Sequence, residues 1–202
     1  MTLQSMIDSF GKSLGDVPIE PIEIAISLIT ETIEKKGCVF ICGNGGSGAN
    51  ANLFATIMSK YLKAGKPGFH IVSLNSNMSV ITYLAENDGY DKIFSAQIDS
   101  FARKSDLLIT ISCSGNSSNI LEAIRASKKI GMKNIGLTGV GGGKLSSMVD
   151  LPIIVNSDNI EQIESVHTVI IYAISAGFAQ SMNIQTKMPD KQKLLDLQGT
   201  HK

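Results

Sequence analysis

The chain has 202 residues, 43% of them hydrophobic, and its 18 basic and 18 acidic side chains cancel to a net charge of zero. That length suits one domain, or one domain with an added helical layer, and the apolar share is ordinary for a core of that size. Neutrality favours neither nucleic acid nor an anionic membrane surface as the principal partner, and no apolar run reaches the roughly 18–20 residues that span a bilayer.

The first ten residues lack a basic stretch followed by an apolar one, so no signal peptide is expected. Pro18 and Pro21 precede a helix predicted over 22–36, where Ile24, Ile26, Ile29 and Ile33 recur at helical spacing. Residues 38–42 form a short continuous apolar run, the signature of a strand buried on both faces. It ends in the glycine-rich stretch 43–48. A helix is expected over 49–62, closed by Gly65 and Pro67. Next come a strand at 70–74, a short helix at 79–86 and another helix at 93–102. The strongest strand is 106–112 (DLLITIS), followed by an amphipathic helix at 117–130 that ends at Gly131. Strands at 134–138 and 151–155 and a long, mostly apolar helix at 159–182 complete the core. The tail, 184–202, carries several charges, a proline and a glycine, and is expected to be mobile.

Short strands separated by helices imply right-handed crossovers. The fold class expected is α/β: a doubly wound, five-stranded parallel sheet flanked by helices, in one domain over 1–183. The N-terminal helices and the long last helix exceed what the sheet needs and are expected to pack subunits together. The three cysteines, Cys38, Cys42 and Cys113, are odd in number and lack framework spacing. They read as reduced thiols, which places the protein in the cytoplasm. Cys38 and Cys42 have no second pair to make a zinc knuckle.

In open parallel sheets, ligands sit beyond the carboxyl ends of the strands, and two polar loops fall there. The first is Gly43-Asn44-Gly45-Gly46-Ser47-Gly48. Its glycines let the backbone approach a ligand, and the helix it opens presents free N–H groups to an anion. Ser47 is expected at the N-cap, bonding either the helix or a phosphate oxygen. The string also fits the dinucleotide fingerprint G-x-G-x-x-G. That reading needs an acidic residue at the end of the second strand, where this chain has Leu74-Asn75-Ser76-Asn77. The second loop, 112–119, turns the balance toward a sugar phosphate: Ser112, Ser114, Ser117 and Ser118, with two asparagines, converge on a helix start. Hydroxyl and backbone donors hold phosphate without Lys or Arg. A third glycine-rich stretch, 138–144, lacks the spacing and the Ser/Thr of a P-loop and reads as a flexible turn.

The strings GNGGS at 43–47, END-G-Y at 86–90, ISCSGNSSNI at 111–120, LTGVGGGKL at 137–145 and IESVH at 163–167 together resemble the sugar isomerase (SIS) domain family, in particular its phosphoheptose isomerase branch. The resemblance covers roughly residues 20–182. It implies that Asn44, Gly45, Gly46 and Ser47 line a sugar. Asn87 and Asp88 would contact its hydroxyls. Ser112, Ser114 and Ser117 would hold its phosphate, with Cys113 giving its backbone only. It also implies a homotetramer with sites between subunits. Zinc-dependent members of the branch carry a histidine and a glutamate on the helix after the first loop, and a glutamine and a histidine on the last helix. Here Leu53, Ile57, Glu164 and Tyr172 stand at those positions, so no metal and no other cofactor is expected.

Moving a proton between adjacent sugar carbons needs a base, and the oxygen needs an acid. Glu164 and His167 lie three apart on one helix and are the candidate pair; the bland alternative makes His167 a structural histidine held by Glu164. Two functions stay open. One is a metal-independent aldose–ketose isomerase acting on a sugar phosphate of the sedoheptulose 7-phosphate type. The other is a catalytically silent relative that senses a sugar phosphate or scaffolds a protein partner.

Overall fold

The computed structural model describes residues 2–61 and 70–184. The elements, in chain order, are α1 (Leu3–Gly15), α2 (Ile19–Glu34), β1 (Cys38–Gly43), α3 (Gly45–Ser59), β2 (His70–Ser73), α4 (Met78–Asn87), α5 (Ser95–Phe101), β3 (Leu107–Ser112), α6 (Ser118–Ile130), β4 (Lys133–Thr138), α7 (Gly143–Met148), β5 (Leu151–Ile154) and α8 (Ile160–Ser181). The five strands are parallel, in the order β2-β1-β3-β4-β5.

Alternation along the central strands decides the layers. Val39 and Ile41 of β1, with Leu107, Ile109 and Ile111 of β3, point to one face and pack on α2, α3 and α8. Phe40, Cys42 and Leu108 point to the other face, where α5, α6 and Leu145 of α7 cover them. Both faces are therefore dry, which explains the continuous apolar runs in β1 and β3. Outside this frame, α1 lies against α8, where Gln162 bonds Ser9 and Ser13.

The structure corrects four expectations. The helix after β1 begins at Gly45, so Ser47 lies inside its first turn, and Asn44 takes the N-cap position. The helix expected over 93–102 starts two residues later, as α5 at Ser95, after a separate 3-10 turn at Tyr90–Lys92; Ile93 and Phe94, between the two, are buried in the second core. The stretch 138–144 is no flexible turn. Gly141, Gly142 and Gly143 all take positive φ, and Leu145 is buried, anchoring α7 with a side chain whose burial is worth about 1.5–3 kcal/mol. Ile184 bonds Ala179 and packs on the core. The rest of the expected mobile tail, like Gly65 and Pro67, lies outside the described residues.

Candidate functional site

The strand order reverses between β1 and β3, because the chain leaves β1 outward to β2 and returns on the other side. A crevice at such a switch point is the usual ligand seat of an open parallel sheet. Gly43 pairs with Ile111 in register, so the loops after β1 and β3 leave the sheet at the same height. Between them lies a cleft of about 400 Å³. The two loops contribute Asn44, Ser47, Ser112, Cys113, Ser114 and Ser117 to its wall, and Glu164 reaches in from α8 with Ile160 and Ile163. Asp158 and Ser157 line the far rim.

Two helices, α3 and α6, point their N-termini at this cleft. In each, the N-cap side chain makes no capping bond: Asn44 is engaged elsewhere, and the Ser117 hydroxyl leaves the α6 N–H groups untouched. One α6 N–H, that of Ile120, is taken by Asn119 Oδ1; the N–H groups left uncapped carry the positive end of the helix dipole and suit an anion. Ser112 Oγ lies 3.4 Å from Ser117 Oγ, so the two hydroxyls converge at the α6 start. Ser114 Oγ accepts the Asn116 N–H at 3.2 Å. The third glycine-rich stretch braces this loop from behind. Gly139 N–H donates to the Cys113 carbonyl at 2.9 Å, and Leu145 N–H to the Gly115 carbonyl at 2.9 Å. A Cβ on Gly115 would stand 2.2 Å from the Gly142 carbonyl, and one on Gly143 would stand 2.4 Å from that of Ser114. Only glycine lets these backbones approach so closely.

The α3 terminus is different, because it already has an anion beside it. A Cβ on Gly46 would stand 2.3 Å from either carboxylate oxygen of Glu164, so the carboxylate lies on the helix's bare second residue. Asn50 Nδ2 donates to the Glu164 carbonyl at 3.0 Å, and the Thr168 hydroxyl, one turn along α8, donates to Asn50 Oδ1 at 2.8 Å; the two bonds fix the backbone of α8 over α3. Gly45, at φ +52°, stands open to solvent with nothing near its Cβ position. The α6 terminus, with the Ser112 and Ser117 hydroxyls beside it, is thus the better suited of the two to an anion. Cys113, half-buried, has its thiol pushed up by desolvation and by the Glu164 charge, against the Ser47 hydroxyl 3.7 Å away. It is not a ready nucleophile.

His167 does not reach the cleft. It is fully buried, with Nε2 3.4 Å from the Thr138 carbonyl and no partner for Nδ1 among the described residues. Burial lowers its pKa to about 4, so the ring is neutral near pH 7. No bond joins it to Glu164: one turn of α8 sends the carboxylate into the cleft and the ring into the core. Asn87 and Asp88 also stand apart. The Asn87 amide donates to the Tyr83 carbonyl at 2.8 Å, and Asp88 borders a separate charged groove with Lys92, Asp99 and Glu122. The stretch after them is what touches the site. The Tyr90 hydroxyl donates to Asn44 Oδ1 at 3.1 Å, and Asp91 accepts from Ser118. Sequence reasoning passed over Tyr90, Asn119 and Asp158. Tyr90 stood inside a matched string, but only the folded chain puts it beside Asn44.

The donors for a zinc ion of the family type do not fit. Leu53 packs against the core, Ile57 is 5% exposed within it, and Tyr172 is 51% exposed. Glu164 alone of the four positions faces the cleft. Among the described residues no group of three or more His, Cys, Asp or Glu side chains stands together.

A doubly wound parallel sheet whose switch-point cleft is ringed by hydroxyls and two helix N-termini defines an anion-binding α/β protein. The SIS domain model matches residues 9–139, and the chain belongs to the SIS domain family. It is 37% identical over 167 residues to a phosphoheptose isomerase of Helicobacter pylori, covering 83% of this chain and 86% of that one. It is 40% identical over 170 residues to the phosphoheptose isomerase of Rhodospirillum rubrum, covering 83% and 88%. The solved phosphoheptose isomerase of Neisseria gonorrhoeae superposes with a TM-score of 0.80 at 31% identity, covering 89% of this chain and all of that one.

Proposed function

We propose that the cleft binds a sugar phosphate and carries out aldose–ketose isomerisation on it without a metal, Glu164 being the base. The observation that carries this reading is the Glu164 carboxylate: it faces the cleft across from the Ser112–Ser117 seat and is claimed by no donor among the described residues. With the phosphate at the α6 terminus, the open-chain sugar runs toward α3. There the carboxylate takes the proton from the hydroxyl-bearing carbon beside the carbonyl and returns it to the carbonyl carbon, while the proton of that hydroxyl passes to the former carbonyl oxygen. The buried, neutral His167 has no part in this step. The relatives' phosphoheptose isomerase activity supports a seven-carbon ketose phosphate of the sedoheptulose 7-phosphate type. Further parts of the reading are work in the cytoplasm, no direct binding of nucleic acid, and a homotetramer. Exposed apolar side chains on the outer helices, Leu3 and Ile7 of α1 and Val169 of α8, support self-association.

The test is incubation with sedoheptulose 7-phosphate in deuterated water with a chelator present. Deuterium should enter the carbon beside the carbonyl. Glu164→Gln should stop that exchange and leave binding within about threefold, since the amide keeps the size and loses the base. Binding without exchange in the unaltered protein would leave only the sensing or scaffolding function standing. A full-rate Glu164→Gln protein would remove this residue from the role.

A further inference from the structure

Asn44 sits at the mouth of the cleft, and its side-chain amide has a defined polarity. The anchor is a backbone donor that cannot reverse. Ile120 N–H donates to Asn119 Oδ1 at 3.0 Å, so the oxygen of that buried amide is identified. Asn119 Nδ2 must then be the atom that donates to Asn44 Oδ1, at 2.8 Å. In return Asn44 Nδ2 donates to Asn119 Oδ1 at 2.9 Å. The Tyr90 hydroxyl fills the second lone pair of Asn44 Oδ1 at 3.1 Å. A carboxamide oxygen accepts two bonds and its nitrogen donates two. Asn44 therefore has no acceptor left and one N–H free.

We propose that Asn119 and Tyr90 are positioning residues that lock the Asn44 amide nitrogen toward the ligand, making Asn44 a single-hydrogen donor to the carbonyl oxygen of the open-chain sugar. This rests on the sugar-phosphate reading above. When Glu164 removes the neighbouring proton, negative charge gathers on that oxygen, and a donor already in place stabilises it without reorganising. The reciprocal amide pair also ties the first residue before α3 to the first turn of α6. The donor is thus held at a fixed distance from the phosphate seat.

The experiment follows the Asn44 side-chain amide protons in the ¹⁵N-labelled full chain, titrated with inorganic phosphate and separately with sedoheptulose 7-phosphate. The sugar phosphate should shift the Asn44 proton that is not bonded to Asn119, and inorganic phosphate should leave it in place. Tyr90→Phe, at an exposed ring, and Asn119→Leu should each weaken sugar-phosphate binding by about three- to tenfold, as expected for loss of one or two hydrogen bonds, with inorganic phosphate affinity unchanged. Sugar-phosphate binding with an unmoved Asn44 amide overturns the proposal, as does wild-type sugar-phosphate affinity in Tyr90→Phe. Binding of inorganic phosphate but of no sugar phosphate by the unaltered chain defeats the cleft reading itself and takes this inference with it.

Discussion

Gly46→Ala separates the chemistry of the cleft from the stability of the fold. The added Cβ would stand 2.3 Å from both Glu164 carboxylate oxygens, where ordinary contact begins near 3.4 Å. The carboxylate must retreat by about 1 Å, a displacement that costs about a hundredfold in rate when a reacting group is involved. The α8 backbone cannot follow, since Asn50 of α3 holds the Glu164 carbonyl at 3.0 Å and the Thr168 hydroxyl at 2.8 Å. The side chain has to rotate instead, and its outer end is free to do so. Alanine for glycine within a helix gains up to about 1 kcal/mol, so the melting temperature should hold or rise slightly. The assay pairs a thermal melt with the rate of deuterium exchange into the ketose phosphate. Exchange at the wild-type rate would refute the reasoning. So would a melting temperature lowered by several degrees, because the loss would then reflect unfolding rather than a displaced base.

Ser117→Ala should raise the dissociation constant for inorganic phosphate by about two- to tenfold. It should leave the melting temperature unchanged, because this hydroxyl makes no capping bond to α6; calorimetry with inorganic phosphate checks both the seat and its independence from the helix. Gly143→Ala should act in the opposite sense, destabilising the chain by about 2 kcal/mol or more, because its φ is +56° and its Cβ would meet the Ser114 and Gly115 backbone at 2.4–2.7 Å; urea unfolding reads this directly. His167 gives a pH test. Its folded pKa, about 4, lies below the ordinary 6.5, so the unfolded chain binds the extra proton first. Stability from this site is fully present above pH 6.5 and is lost as pH falls toward 4, by about 3 kcal/mol in all. Urea midpoints of His167→Phe compared with the unaltered chain between pH 4 and 7 should show the histidine's slope disappear; parallel curves would show that the ring is not buried neutral.

The sheet was legible in the sequence because both of its faces are covered. The runs 38–42 and 107–111 are apolar on both faces apart from the buried Thr110, and the loops that follow them fall where the strand order reverses. The serine loop was legible for a different reason, since four hydroxyls, at 112, 114, 117 and 118, crowd into one short turn before a helix. Boundaries at glycines were not legible. Gly45 and Gly46 read as loop, yet they open α3; at Gly46 the Glu164 side chain of α8 lies so close that the surface must be bare. The three glycines before Lys144 read as slack, when they are a fixed bend pressed against the serine loop. The Glu164–His167 pair failed on angle. Residues three apart share a side of a helix, but the remaining rotation is enough to divide cleft from core. Tyr90 and Asn119 needed a spatial neighbour to acquire meaning, and periodicity carries no information about contacts between distant segments.

Among the described residues, no lysine and no arginine lines the cleft, and its charged members are Glu164 and Asp158. A phosphate held here is held by hydroxyls and backbone dipoles, at short range, against a background of like charge. Most phosphate sites weaken as ionic strength rises, because salt screens their cations. This one should keep its affinity as salt is raised, or gain a little, since the screening falls on repulsion. Selection among the many phosphorylated anions around it would then rest on the fit of the sugar between α3 and α6, with little long-range attraction to blur the choice.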